Sequence, residues 1–271
     1  MKSLRIYLTF IGLLFLLSIV VSCMAQKTTS NGDSQKNAKK LWEQAVAAKG
    51  GRERLYSIRN LVVSSRANYM HGFKKYQIRQ EALYVFPNKL WWWNDMRPDV
   101  FGLRMEMYNF DSRMKYIVQL GDPRTELEPI EKNESREFSF HRLAPLLLET
   151  EWLKPVLVEA SIEKIGLRRV NIIQTMIDRE RVDFAFDQKT HLLVRVSYYN
   201  LINNKTYITK VDYSDYFEVD GIQMPQTEKA DDGTTYKQSY QFNIEYDDSI
   251  FIKAPPIESG PELWRAKRIV E

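Results

Sequence analysis

A mainly β (α+β) fold is what this sequence predicts: a long antiparallel meander with one or two helices against a single face. Three observations predict it. From Leu61 onward apolar residues recur at every second position, the period of a strand with one buried side. Between the alternating segments stand "DQKT", "INNK", Asp220-Gly221 and "DDGT", built from residues that tolerate the positive φ of tight turns. Helical spacing is confined to the N-terminal part and to one interruption in the middle.

In chain order, "SQKNAKKLWEQAVAAKGG", residues 34–51, reads as the first helix. Ala38, Leu41, Trp42, Ala45, Val46 and Ala48 are its apolar positions, and Gly50-Gly51 supply the stop. A short helical turn, "RERLYSI", follows. Leu61, Val63, Ser65, Ala67 and Tyr69 then share one side of a strand, and Tyr76, Ile78, Ala82, Tyr84 and Phe86 share one side of the next, broken only at Gln80. In "NKLWWWNDM", residues 88–96, Trp92 must point opposite to Trp91 and Trp93, so both faces of the sheet receive indole. "FGLRMEMYNF" lines up Phe101, Leu103, Met105 and Met107 on one side. In the C-terminal half, Val182, Phe184 and Phe186 alternate with Asp183 and Asp187, and further segments run through "HLLVRVSYY", "TYITKVDYSDY", "IQMPQTEKA" and "TYKQSYQFNIEY". The expected total is about eleven strands. "SFHRLAPLLLETEW", residues 139–152, is apolar at Phe140, Leu143, Leu146, Leu147 and Trp152 and reads as a helix despite Pro145. Packing such helices on one face of an antiparallel sheet buries both apolar surfaces. No fixed-period repeat and no inter-domain linker is visible.

The N-terminus has a separate logic. Lys2 and Arg5 precede an uncharged apolar run over residues 6–21, and Ser22 then precedes Cys23, the only cysteine of the chain. A basic start, an apolar stretch and a small residue make an export signal. The run of 16 residues falls short of the roughly 20 that span a bilayer. The four residues Val20, Val21, Ser22 and Cys23 resemble the lipobox of bacterial lipoproteins. In that family the cysteine becomes the first mature residue and carries a diacylglycerol on its thiol. Two alternatives stay open: an ordinary secretory signal cut after Ala25, and a permanent N-terminal anchor. On the lipoprotein reading the chain divides into a signal peptide (1–22), a lipidated tether (23–36), a folded domain (37–258) and a C-terminal tail (259–271). Met24, in place of aspartate, points by analogy with sorting in familiar Gram-negative species to the outer membrane.

Removing 22 residues leaves 249, enough for one large domain with no disulfide. Loss of Lys2 and Arg5 takes the formal charge from +4 to +2, which gives no reason to invoke nucleic acid. His71, His141 and His191 stand far apart, outside any recognised metal-ligand spacing. The sequence has neither a GxSxG elbow nor a phosphate-cradling glycine loop. The acidic pairs Asp183/Asp187 and Asp247/Asp248 are explained by turns and strand ends. A protein without enzymatic activity, cofactor or metal is the expectation. The sequons at Asn133 and Asn204 matter only in a eukaryotic secretory pathway.

Four stretches carry a wider resemblance: "AAKGGRERLYSIRNLVVSSRA", "FAFDQKTHLLVRVSYY", "VDYSDYFEVDGIQMPQTEK" and "FNIEYDDSIFIKAPP". They resemble the lipoprotein-sorting superfamily, the Lol-type proteins and their relatives, at positions of architecture: the glycine pair, Asp187 opening a turn, the Asp220-Gly221 hairpin, and "DDSIF" closing the last strand. The resemblance implies an open, curved antiparallel half-barrel with helices on its concave, apolar face, where acyl chains of a lipid or lipoprotein are held. No ligand-contacting residue is carried over from it.

From the residues themselves, Trp92, Met105, Met107 and Leu147 are expected to border a common apolar cavity, because aromatic and methionine side chains suit flexible apolar ligands. The expected function is an envelope lipoprotein, membrane-anchored through Cys23, that binds or transfers lipid or acylated lipoprotein. The alternatives are a scaffold lipoprotein with a packed concavity and an envelope hydrolase.

Overall fold

The computed structural model describes residues 30–71, 74–98, 102–121, 126–131, 143–177, 180–202 and 205–257. The signal, the Cys23 site, Phe101, Phe140, His141, both sequon asparagines and the tail 259–271 lie outside the described residues.

Helix α1 (Ser30–Lys49) opens the fold and α2 (Arg52–Tyr56) follows it. The α1 stripe Ala38, Trp42, Ala45 and Val46 is buried, as its helical spacing dictates. Its end is set by backbone geometry. Gly50 has φ +136°, and a Cβ there would lie 2.5 Å from the Gly221 carbonyl oxygen, so glycine alone lets the helix end meet that turn. Six strands follow as successive hairpins: β1 (Asn60–His71), β2 (Lys74–Val85), β3 (Lys89–Asp95), β4 (Leu103–Asn109), β5 (Met114–Gln119) and β6 (Glu128–Pro129). A single turn, α3 (Ala144–Leu147), separates them from β7 (Val156–Ile165), β8 (Arg168–Ile177), β9 (Glu180–Asp187), β10 (Leu193–Ile202), β11 (Lys205–Val219), β12 (Ile222–Lys229) and β13 (Thr235–Phe242).

These thirteen strands form one open, curved antiparallel sheet in the order β6-β5-β4-β3-β2-β1-β13-β12-β11-β10-β9-β8-β7. Two meanders are thus joined where the first strand pairs with the last, Leu61 opposite Phe242 and Ala67 opposite Tyr236. The chain passes from one outer edge to the other through the segment that contains α3.

Alternation sorts the side chains into two cores. On the first face Leu61, Val63, Ala82, Leu90, Phe184, Phe186, Val196 and Met224 pack with α1, α2 and the α3 segment. Trp42 meets Phe184 and Phe186 edge to face, at 5.4 and 6.0 Å. On the second face Val62, Leu83, Trp91, Trp93, Met105, Met107 and Tyr116 are covered by Ile250, Phe251 and Ile257 from beyond β13. The Tyr116 hydroxyl donates to the Ile250 carbonyl at 2.9 Å and ties that cover down. At the free edge of β7, Ser34 Oγ donates to the Ala160 carbonyl and accepts from its amide, and Gln35 donates to the Leu157 carbonyl. The helix start thereby caps an edge that would otherwise offer unpaired backbone.

Four expectations are corrected. Among the described residues the sheet has thirteen strands rather than about eleven: β6 is two residues long, and β7 leaves Val156 and Ile162 more than half exposed, so neither shows clean alternation. Residues 30–36, expected in the tether, belong to helix α1. Within the described part of 139–152 only one turn is helical, because Leu148 takes φ +60° and ends it. "DDSIF" forms a 3-10 turn after the last strand, capped by Asp247 accepting from the Ser249 amide.

Candidate functional site

On the helix-bearing face the sheet and the α3 segment border a half-open cavity of about 580 Å3. Its walls come from seven adjacent strands, β3 through β1 and β13 to β10, with Leu146 of α3 on one side. Register explains the hollow. Ala82 stands opposite both Val63 and Trp92, and Ser65 stands opposite both Gln80 and Gln238. Small side chains at the centre of a curved sheet leave room that no neighbour fills.

The same register grades the lining. Val63, Ala82 and Trp92 form an apolar row, continued by Tyr84, Leu146 and Val211. One residue pair further along, Ser65, Gln80 and Gln238 form a polar row, with Glu228 and Asp231 beyond it. Gln238 is locked: its amide donates to Glu228 Oε2 at 2.8 Å, and its carbonyl accepts from the Tyr240 hydroxyl. Burial, helped by the Glu228 charge, pushes the Tyr213 and Tyr240 hydroxyls above the usual tyrosine range, so they stay protonated.

The α3 segment is held in place by Glu149. This carboxylate is 6 % exposed and accepts from Trp42 Nε1 at 2.7 Å, Arg52 Nε at 2.5 Å and the Tyr56 hydroxyl at 3.4 Å. Lys49, the last residue of α1, is 2 % exposed, with no hydrogen-bond acceptor for its Nζ and the ring of Tyr216 at 5.5 Å.

The four residues expected to share a cavity do not. Trp92 lines it, and Leu147 lies on the same face but is fully buried in the first core, while its neighbour Leu146 reaches the cavity. Met105 and Met107 are buried in the second core, on the opposite face. The cause is register: Met107 pairs with Trp91 and Met105 with Trp93, the two indoles that point away from Trp92. Ser65, Gln80, Val211 and Gln238 were not foreseen as site residues. Gln80 had left a trace, since it breaks an otherwise apolar row.

The acidic residues have structural partners. Asp183 accepts from Arg181 and the Tyr199 hydroxyl, and Asp187 accepts from the Lys189 and Thr190 amides in the β9–β10 turn. Among the described residues no three His, Cys, Asp or Glu side chains gather closely enough to hold a metal ion.

No protein-family model and no curated protein matches the sequence. Solved structures similar to this chain are DUF1329 and LolA superfamily proteins. A DUF1329 family protein from Desulfovibrio piger is 12 % identical with a TM-score of 0.49, covering 79 % of this chain and 96 % of its own. A domain described as outer membrane lipoprotein-sorting, from Vibrio parahaemolyticus, is 9 % identical with a TM-score of 0.47, covering 79 % and 97 %. A LolA superfamily protein from Nitrosomonas europaea is 10 % identical with a TM-score of 0.46, covering 79 % and 96 %.

Proposed function

We propose that this chain is an envelope lipoprotein, tethered through Cys23, whose sheet holds an acyl chain of a lipid or lipoprotein and passes it on. The observation that carries this is the cavity of about 580 Å3, a size that suits a small amphiphile. On this reading the helix-bearing face is the concave side that takes the ligand, which is supported by one hollow touching β3 and β10 across the strands between them. Each methylene moved from water onto the row of Val63, Ala82 and Trp92 gains about 0.8 kcal/mol. In the polar row, Ser65 and Gln80 beside the engaged Gln238 supply hydrogen bonds for a head group. The basic, apolar and small-residue order of residues 1–23 supports the tether, and intact mass of the purified chain reads it directly.

Native mass spectrometry after mild extraction tests the binding. Lipid copurifies with the unaltered chain. Ala82→Phe and Ser65→Leu each fill the hollow and abolish the adduct, whereas Met107→Leu, on the other face, keeps it. Overpacking by Ala82→Phe costs about 1–3 kcal/mol of stability, so circular dichroism accompanies the measurement. A clean apo mass of the unaltered chain under several extraction conditions would instead support a scaffold with outside partners.

A further inference from the structure

The hairpin between β7 and β8 carries a combination that neither the cavity nor the tether uses. Its tip, Gly166-Leu167, leaves Leu167 102 % exposed, the most exposed large apolar side chain among the described residues. Directly below the tip Lys164 stands opposite Arg169 across the strand pair, and Arg168 follows Leu167. Like charges placed opposite each other weaken a strand pair, and here all three cations are exposed. The neighbouring β9–β10 turn adds exposed Lys189, held close because the Gln188 amide donates to the Arg169 carbonyl. Two carboxylates stand near. By alternation Glu163 lies on the face of Arg168, and Asp187, whose Oδ1 accepts from the Lys189 and Thr190 amides, attracts Arg168 from the same side, while Lys164 and Arg169 point to the other face. On the Lys164 face, Ile162 is 60 % exposed.

We infer that this hairpin tip is a contact for an anionic bilayer surface: Leu167 enters the interface while Lys164, Arg168 and Arg169 meet lipid phosphates. An anionic surface relieves the repulsion between Lys164 and Arg169, and an apolar apex ringed by cations has its lowest free energy at the boundary of acyl chains and charged head groups. An acidic protein would satisfy the cations but gives no reason for a bare leucine at the apex. The inference stands apart from the cavity's ligand. It draws on the tether only in that a chain anchored at Cys23 is already beside a bilayer.

The test places an environment-sensitive fluorophore at Leu167→Cys, and at Asp232→Cys for comparison, in the full lipidated chain. Each is reconstituted into vesicles of phosphatidylcholine alone or with a third of phosphatidylglycerol. The label at 167 shifts to the blue and is quenched by brominated acyl chains in the anionic vesicles, and the label at 232 does neither. Adding Lys164→Gln and Arg169→Gln lowers the inserted-to-free ratio roughly tenfold. Equal emission at 167 in both vesicle types overturns the inference. So does a shift that persists in neutral vesicles and grows with protein-to-lipid ratio, since that marks docking of a second copy. Intact mass of the same sample reports the state of Cys23, so loss of the anchor and loss of the hairpin contact read separately.

Discussion

Replacing Lys49 with methionine is expected to stabilise the fold at pH 7 by on the order of 3 kcal/mol. The lysine closes α1 inside the protein, and burial lowers its pKa from 10.5 to about 7. Above that value the folded chain holds a neutral amine where the unfolded chain holds an ammonium. Unfolding therefore takes up a proton between about pH 7 and 10.5, and the stability of the unaltered chain rises with pH across this window. Below it both states carry the proton and the slope ends. Methionine keeps the length and apolar stem of the side chain without the charge, so the variant is more stable at pH 7 and lacks the slope. At still higher pH a separate effect sets in. Burial raises the pKa of Tyr213, Tyr216 and Tyr240, so their phenols stay protonated in the fold and ionise on unfolding, and stability falls above about pH 10 in both proteins. Urea unfolding at pH 7, 8 and 9 reads the difference; a Lys49→Met chain with the same slope as its parent would refute the assignment.

Glu149→Ala is expected to cost about 1–3 kcal/mol, because it leaves the buried Trp42 indole N–H without its acceptor, whereas the half-exposed Arg52 guanidinium keeps Glu43. Its effect is also local. The α3 segment loses its attachment to the two helices, and Leu146 is no longer held against the cavity. Amide hydrogen exchange should accelerate over residues 143–153 before it does in β1 or β13. Glu149→Gln retains an oxygen for Trp42 and loses the charge facing Arg52, so its loss is smaller. A uniform rise in exchange across the whole sheet would mean that Glu149 supports the fold globally and not this segment.

The sequence revealed which side chains of a strand share a face. Val63, Ser65 and Ala67 with Ala82 and Ile78 were assigned to their faces because alternation alone decides them. Trp92 was separated from Trp91 and Trp93 for the same reason. Hidden from it was how strands align with one another. That Met105 and Met107 share a side follows from period two; that this side is the one of Trp91 and Trp93 follows only from the β3–β4 register. The cavity was illegible for the same cause, since Val63 and Val211 belong to strands far apart in sequence that a curved sheet brings face to face. Lys49 was open to notice. It continues the spacing of Ala38, Trp42 and Ala45 along α1, a charged residue on a stripe that the fold buries. Strand β7 was hard to recognise because it buries little, and that same exposure marks the hairpin beyond it.

The seam between β1 and β13 governs how such a chain can mature. Until Thr235–Phe242 has emerged, the strand that begins at Asn60 has a partner on one flank only. A polypeptide made from its amino end must therefore wait for nearly its full length before the two meanders can fuse, and contacts of such sequence separation form slowly. In that interval β1 is an open template for adhesion to other chains. Chaperones that shield nascent edges are the helpers this topology calls for, and a product truncated before residue 235 is one that quality-control proteases would meet with its central seam still agape.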